Sequence, residues 1–117
     1  MNIKSPESWG SDSQVHGLRV EISAERSLVL PFDQFVFSEL THEGKEQRLR
    51  IVFATHELLL RGCFLKRVEA TLQKRELSFV AKVSTNYRPL VENHPVIWEI
   101  ALKEIKPAGN QSNVDEN

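Results

Sequence analysis

Cys63 is the single cysteine of the chain, and it opens a segment, "CFLKRVEATLQK", in which apolar and basic residues recur at helical spacing. A thiol at a helix N-terminus feels the positive end of the helix dipole, which favours the nucleophilic thiolate. His56, seven residues earlier, is the imidazole that such a thiol would use as its base. The bland reading is stronger. A lone cysteine is among the most often buried residue types, and no aspartate or asparagine is placed by spacing as a third partner, so Cys63 reads as a small hydrophobe at a strand-to-helix corner. A thiol enzyme using Cys63 remains as the weakest of three readings.

Other chemistry finds less support. His16, His42, His56 and His94 are scattered, with no His-x-x-x-His or Cys-x-x-Cys pair to start a metal site. Glu39, Glu43, Glu46, Glu57 and Glu99 fall on strand surfaces or loops, without the pairing that acid and base catalysis needs. The five glycines are isolated, so no phosphate-binding loop is present. No catalytic, metal or cofactor-binding residue is assigned, and no cofactor is expected.

The remaining signal is basic. Lys66, Arg67 and Lys74 line the outward side of the expected helix, and Arg48, Arg50 and Arg61 add positive charge on a neighbouring hairpin. Together they form a candidate surface for an anionic partner across residues 48–75, a nucleic acid or phospholigand being the second reading. A net charge of -1 weighs against a dedicated nucleic-acid domain, which usually carries a basic excess. Phe35 and Phe37 would stack on bases only if they faced outward, and core packing is the expected use.

These residues must be positioned by a fold that the periodicity outlines. Leu18, Val20 and Ile22 alternate with Arg19 and Glu21, as a half-buried strand requires. "SLVLP" and "FDQFVFSEL" read as further strands, the second with a helical turn possible near Asp33, and "THEGKEQ" as a loop with Gly44 at its tip. "RLRIVFA" and "LLLR" form a hairpin across "THE", with Leu58, Leu59 and Leu60 marking a central strand. Residues 64–75 follow as an amphipathic helix that turns Phe64, Leu65, Val68 and Leu72 inward. Two more strands place Leu77, Phe79, Ala81 and Val83 on one face, and Val96, Trp98, Ile100 and Leu102 on another. The fold class is α+β: a mainly antiparallel, curled or split sheet of about six or seven strands with one helix packed on it.

A chain of 117 residues, 40% hydrophobic and 26% charged, is expected to form one domain over residues 15–106. The polar stretches 1–14 and 107–117 read as disordered tails, with Trp9 expected to be solvent-exposed there, the alternative being that it docks on a groove of its own or a neighbouring chain. One cysteine excludes an internal disulfide, no secretion signal or apolar span is seen, and the expected setting is the cytoplasm without membrane contact. The first functional reading is a protein-interaction or assembly domain without catalytic activity, self-associating as a homodimer through open sheet edges.

Overall fold

Alternating apolar residues build the first hairpin. β2 (Gly17–Ser23) pairs antiparallel with β3 (Arg26–Pro31), opposing Leu18 to Leu30 and Val20 to Leu28, so four aliphatic side chains share the core face. Pro31 ends the strand, and a single 3-10 turn at Phe32–Gln34 carries the chain into a second sheet. The computed structural model describes residues 7–84 and 93–106.

The second sheet begins as a meander. β4 (Phe35–Glu43), β5 (Glu46–Phe53) and β6 (His56–Cys63) pair antiparallel in sequence order, and β8 (Val96–Glu104) completes the order β4-β5-β6-β8. Both strands reach further into "THEGKEQ" than a loop reading allows, leaving only Gly44 and Lys45 between them. Gly44 has φ of 64°, which glycine adopts without steric cost at the first position of a two-residue turn. The β5–β6 hairpin forms as expected, and β6 is an interior strand.

The first sheet has the order β1-β7-β2-β3. β7 (Leu77–Ala81) lies parallel to β2, and β1 (Trp9–Ser11) adds antiparallel to β7. Residues 9–11 are therefore a strand, not part of a disordered tail, and Trp9 packs against the core. This eighth strand escapes pattern reading because three residues are too few to show an alternation. Two sheets and one helix make the α+β class expected. The proposed C-terminal tail, 107–117, lies outside the described residues, as does most of the 84–95 loop.

α1 (Lys66–Gln73) is too short to be stable alone in water, so its packing must hold it. Val68 and Leu72, with Leu65 at its N-cap, are fully buried, and the helix touches β4 of one sheet and β7 of the other. It closes one end of the space between the sheets. It is shorter than the 64–75 expected. Phe64 has φ of 58° and stands outside the helix, 45% exposed, in a left-handed conformation that costs a bulky residue strain. At the other end Arg75, at φ of 60°, closes the helix while Glu76 N–H donates to the Thr71 carbonyl.

Two strand faces depart from strict alternation. In β7 it is Leu77 and Val80 that are buried, because Val80 lies opposite Val20, while Phe79 lies outside under Arg19. In β8 the register shifts where Arg61 opposes Glu99 and Gly62 opposes Ile97. Ile97 is buried in place of Trp98, and Ile100 and Leu102 continue on the core side.

Candidate functional site

The six candidate cations do not form one surface. Arg48 and Arg50 on β5 and Arg61 on β6 share the outer face of the second sheet, since Arg48 opposes Arg61 and Arg50 opposes Leu59. The same register places Glu39 and Glu43 on β4 beside them and Glu99 on β8 opposite Arg61. Arg48 reaches Glu43 at 3.1 Å, and Arg50 reaches Glu57 at 2.5 Å and Glu39 at 3.9 Å. Arg61 bonds Glu46 at 2.6 Å and also pairs with Glu99. Every arginine of this face is ion-paired.

The electrostatics agree with the geometry. The hydrogen bond from Arg61 holds Glu46 below its ordinary 4.5, and the bond from Arg50 does the same for Glu57, in both cases against the opposing effect of desolvation. Both guanidinium groups are held more firmly protonated in return, first through the hydrogen bonds to Glu57 and to Glu46. Glu39, Glu43, Glu46, Glu57 and Glu99 outnumber Arg48, Arg50, Arg61 and Lys103 on this face, so a phosphate approaching it would meet a net acidic surface. Phe37 does face outward, contrary to the core use expected, but its ring is covered by the Arg50 guanidinium, 5.2 Å from its centroid.

The helix cations lie elsewhere. Lys66, Arg67 and Lys74 are exposed as expected, and among the described residues none is in an ion pair. Arg67 stacks over the Trp9 ring at 5.7 Å, which directs it to the β1 edge of the first sheet and away from the outer face of the second.

Cys63 ends β6 and His56 begins it. Strand rise separates the two Cα atoms by roughly 23 Å, so His56 cannot serve Cys63 as a base. The thiol is half-buried and precedes the helix by three residues, outside the reach of a dipole confined to the first turn.

What the chain builds instead is a cleft between the sheets. Ile22 and Arg26, at the far end of the β2–β3 hairpin, stand over His56 of β6 and Ile100, Leu102 and Glu104 of β8. Five residues after Arg26, Pro31 leads into β4 at the opposite edge of the second sheet, so the hairpin crosses that sheet from its β8 edge to its β4 edge. The helix fills one end of the intersheet space, and a cleft of about 300 Å³ remains under the hairpin turn. Ile22, Ile100 and Leu102 give it an aliphatic side, and Arg26, Glu104 and His56 add a guanidinium, a carboxylate and an imidazole. His56 Nδ1 is 2.8 Å from Thr55 Oγ1, which leaves Nε2 as the ring nitrogen without a partner among the described residues.

Of the cleft residues, spacing singles out only His56, as a base for Cys63, yet a second signal is present. Glu104 continues the alternation of Ile100 and Leu102, and it opposes His56, so two polar residues interrupt an otherwise apolar inward face. Among the described residues no group of three or more His, Cys, Asp or Glu is arranged to hold a metal ion, and no helix is long and apolar enough to cross a membrane. No family model matches the chain. Neither the curated proteins nor the solved structures contain a match to it.

Proposed function

We propose that this protein is a non-catalytic interaction domain that self-associates through the edge of β4. The observation that carries this reading is the contrast among the four sheet edges. β1 has only three residues, and β3 ends at Pro31, which has no N–H to offer. β8 is as long as β4, but its edge is covered at the start, where the Ile97 N–H is taken by Ser8 Oγ and the Ile97 carbonyl by Val83 N–H. β4 is nine residues long, borders only β5, and exposes Val36 at 59% and Phe37 at 43%. A long edge with apolar side chains is a template for pairing with another strand, and a second copy brings the same edge. The cytoplasmic setting belongs to the same reading, because the single cysteine leaves the fold without an internal disulfide.

Sedimentation velocity over a wide concentration range tests it. A reversible dimer is expected that persists at moderate salt, and Val36→Lys is expected to make it monomeric while keeping the urea midpoint that the wild type shows at concentrations where it too is monomeric. A wild-type protein that stays monomeric at the highest concentrations would remove β4 pairing as its mode of action.

A further inference from the structure

The protein's strand arginines are consistently matched to acids. Arg19 pairs with Glu21, and Arg48, Arg50 and Arg61 pair with glutamates of their own sheet. Arg26 departs from this habit. It lines the intersheet cleft together with Glu104, and among the described residues neither is in an ion pair, with the other or with anything else. A cation and an anion that share one cleft without pairing to each other, and flank Ile22, Ile100 and Leu102, are complementary to a ligand carrying both charges beside an apolar body.

We propose that the cleft binds a small zwitterion of the size and chemistry of a free aliphatic α-amino acid, with its carboxylate on Arg26, its ammonium on Glu104 and its side chain against Ile22, Ile100 and Leu102. A volume of about 300 Å³ lies at the lower end of the range for ligand pockets, which fits a compact ligand. Guanidinium is the side chain best shaped to grip a carboxylate through two parallel hydrogen bonds. A ligand with one charge would leave the opposite cleft charge unanswered. The unpartnered Nε2 of His56 supplies a further polar contact at the Glu104 end, where the two residues face each other across β6 and β8.

The test is a titration of the ¹⁵N-labelled protein with L-leucine, 4-methylpentanoate, isopentylamine and the dipeptide Leu-Gly, followed by amide shifts. L-leucine is expected to move the amides around Ile22, Arg26, His56 and residues 100–104 in a saturable way. Each single-charge analogue, and the dipeptide with its charges far apart, is expected to bind at least about tenfold more weakly, as loss of one charge-assisted contact implies. Arg26→Gln is expected to remove the preference for L-leucine over isopentylamine, and Glu104→Gln its preference over 4-methylpentanoate. Both side chains are exposed, so the variants are expected to keep the wild-type spectrum elsewhere. The proposal is overturned if L-leucine causes no saturable shift, if isopentylamine or 4-methylpentanoate binds as tightly, if Leu-Gly binds more tightly, or if both preferences survive in the variants. Because the readout is local to the cleft, it is independent of whether β4 mediates a dimer.

Discussion

A Cβ placed on Gly62 would lie 1.8 Å from the Val96 carbonyl oxygen and 3.0 Å from the Ile97 Cα. Both obstacles are backbone, so no side-chain rotation relieves them, and β6 and β8 would have to separate at the register shift. Gly62→Ala is therefore expected to destabilise the fold by roughly 4 kcal/mol or more, in the range reserved for named steric defects. Gly44→Ala, with open space around its Cβ and only φ of 64° to accommodate, is expected to cost about 1 to 2 kcal/mol. Urea melts of the two variants check the difference, and equal midpoints would mean that β6 and β8 do not approach so closely. At the same scale, the cleft shows what spacing alone conceals. Arg26 and Glu104 are 78 positions apart in numbering, and nothing in either neighbourhood announces that the other will stand across from it.

At the scale of elements, the outer face of the second sheet links charge to stability. Glu46 and Glu57 ionise below 4.5 in the folded protein, whereas in the unfolded chain they titrate near that value. Their bonds to Arg61 and Arg50 stabilise the fold fully above the unfolded value, and the contribution is lost as pH falls through the lower folded values. The thermal midpoint is expected to be level between about pH 7 and 5 and to decline below about 4.5, with a shallower decline in Glu57→Gln. A midpoint unchanged into the acid range would show that these pairs contribute nothing. For the helix, Leu72→Ala is expected to cost about 2 to 5 kcal/mol and Lys74→Ala less than about 0.5, since the first side chain is fully buried and the second exposed. Similar urea midpoints for the two would refute that division of faces. The helix, the β5–β6 hairpin and β2 were legible because each repeats its period over several residues. The glutamates that cancel the arginines were visible as residues but not as partners, because only strand register sets Glu43 beside Arg48 and Glu99 beside Arg61. The break in β8 was unreadable for a related reason: a bulge replaces Trp98 by Ile97 on the core face without leaving a mark in composition.

For the whole molecule, the strand order β1-β7-β2-β3 has a consequence in time. The meander β4-β5-β6 is made of neighbours in sequence and can assemble as soon as its residues exist, but β1 has no partner until β7 arrives. The pairing of Trp9 with Val80, the parallel pairing of Arg19 with Phe79, and the bond from Ile97 N–H to Ser8 Oγ, 89 residues apart, each close a loop of half the chain or more. During synthesis β1 must therefore wait as an unpaired strand while the 65 residues that separate it from β7 are made. Refolding is expected in milliseconds to seconds, slow for a chain of this size, with Ile51→Val in the meander lowering the folding rate and Val80→Ala in β7 chiefly raising the unfolding rate. Stopped-flow chevrons distinguish the two, and the opposite assignment would place the nucleus in the first sheet. Until β7 docks, β2 also lacks its neighbour on that side, so the interval in which the nascent chain can pair with another is set by the position of β7 in the gene's reading order rather than by the strength of any one contact.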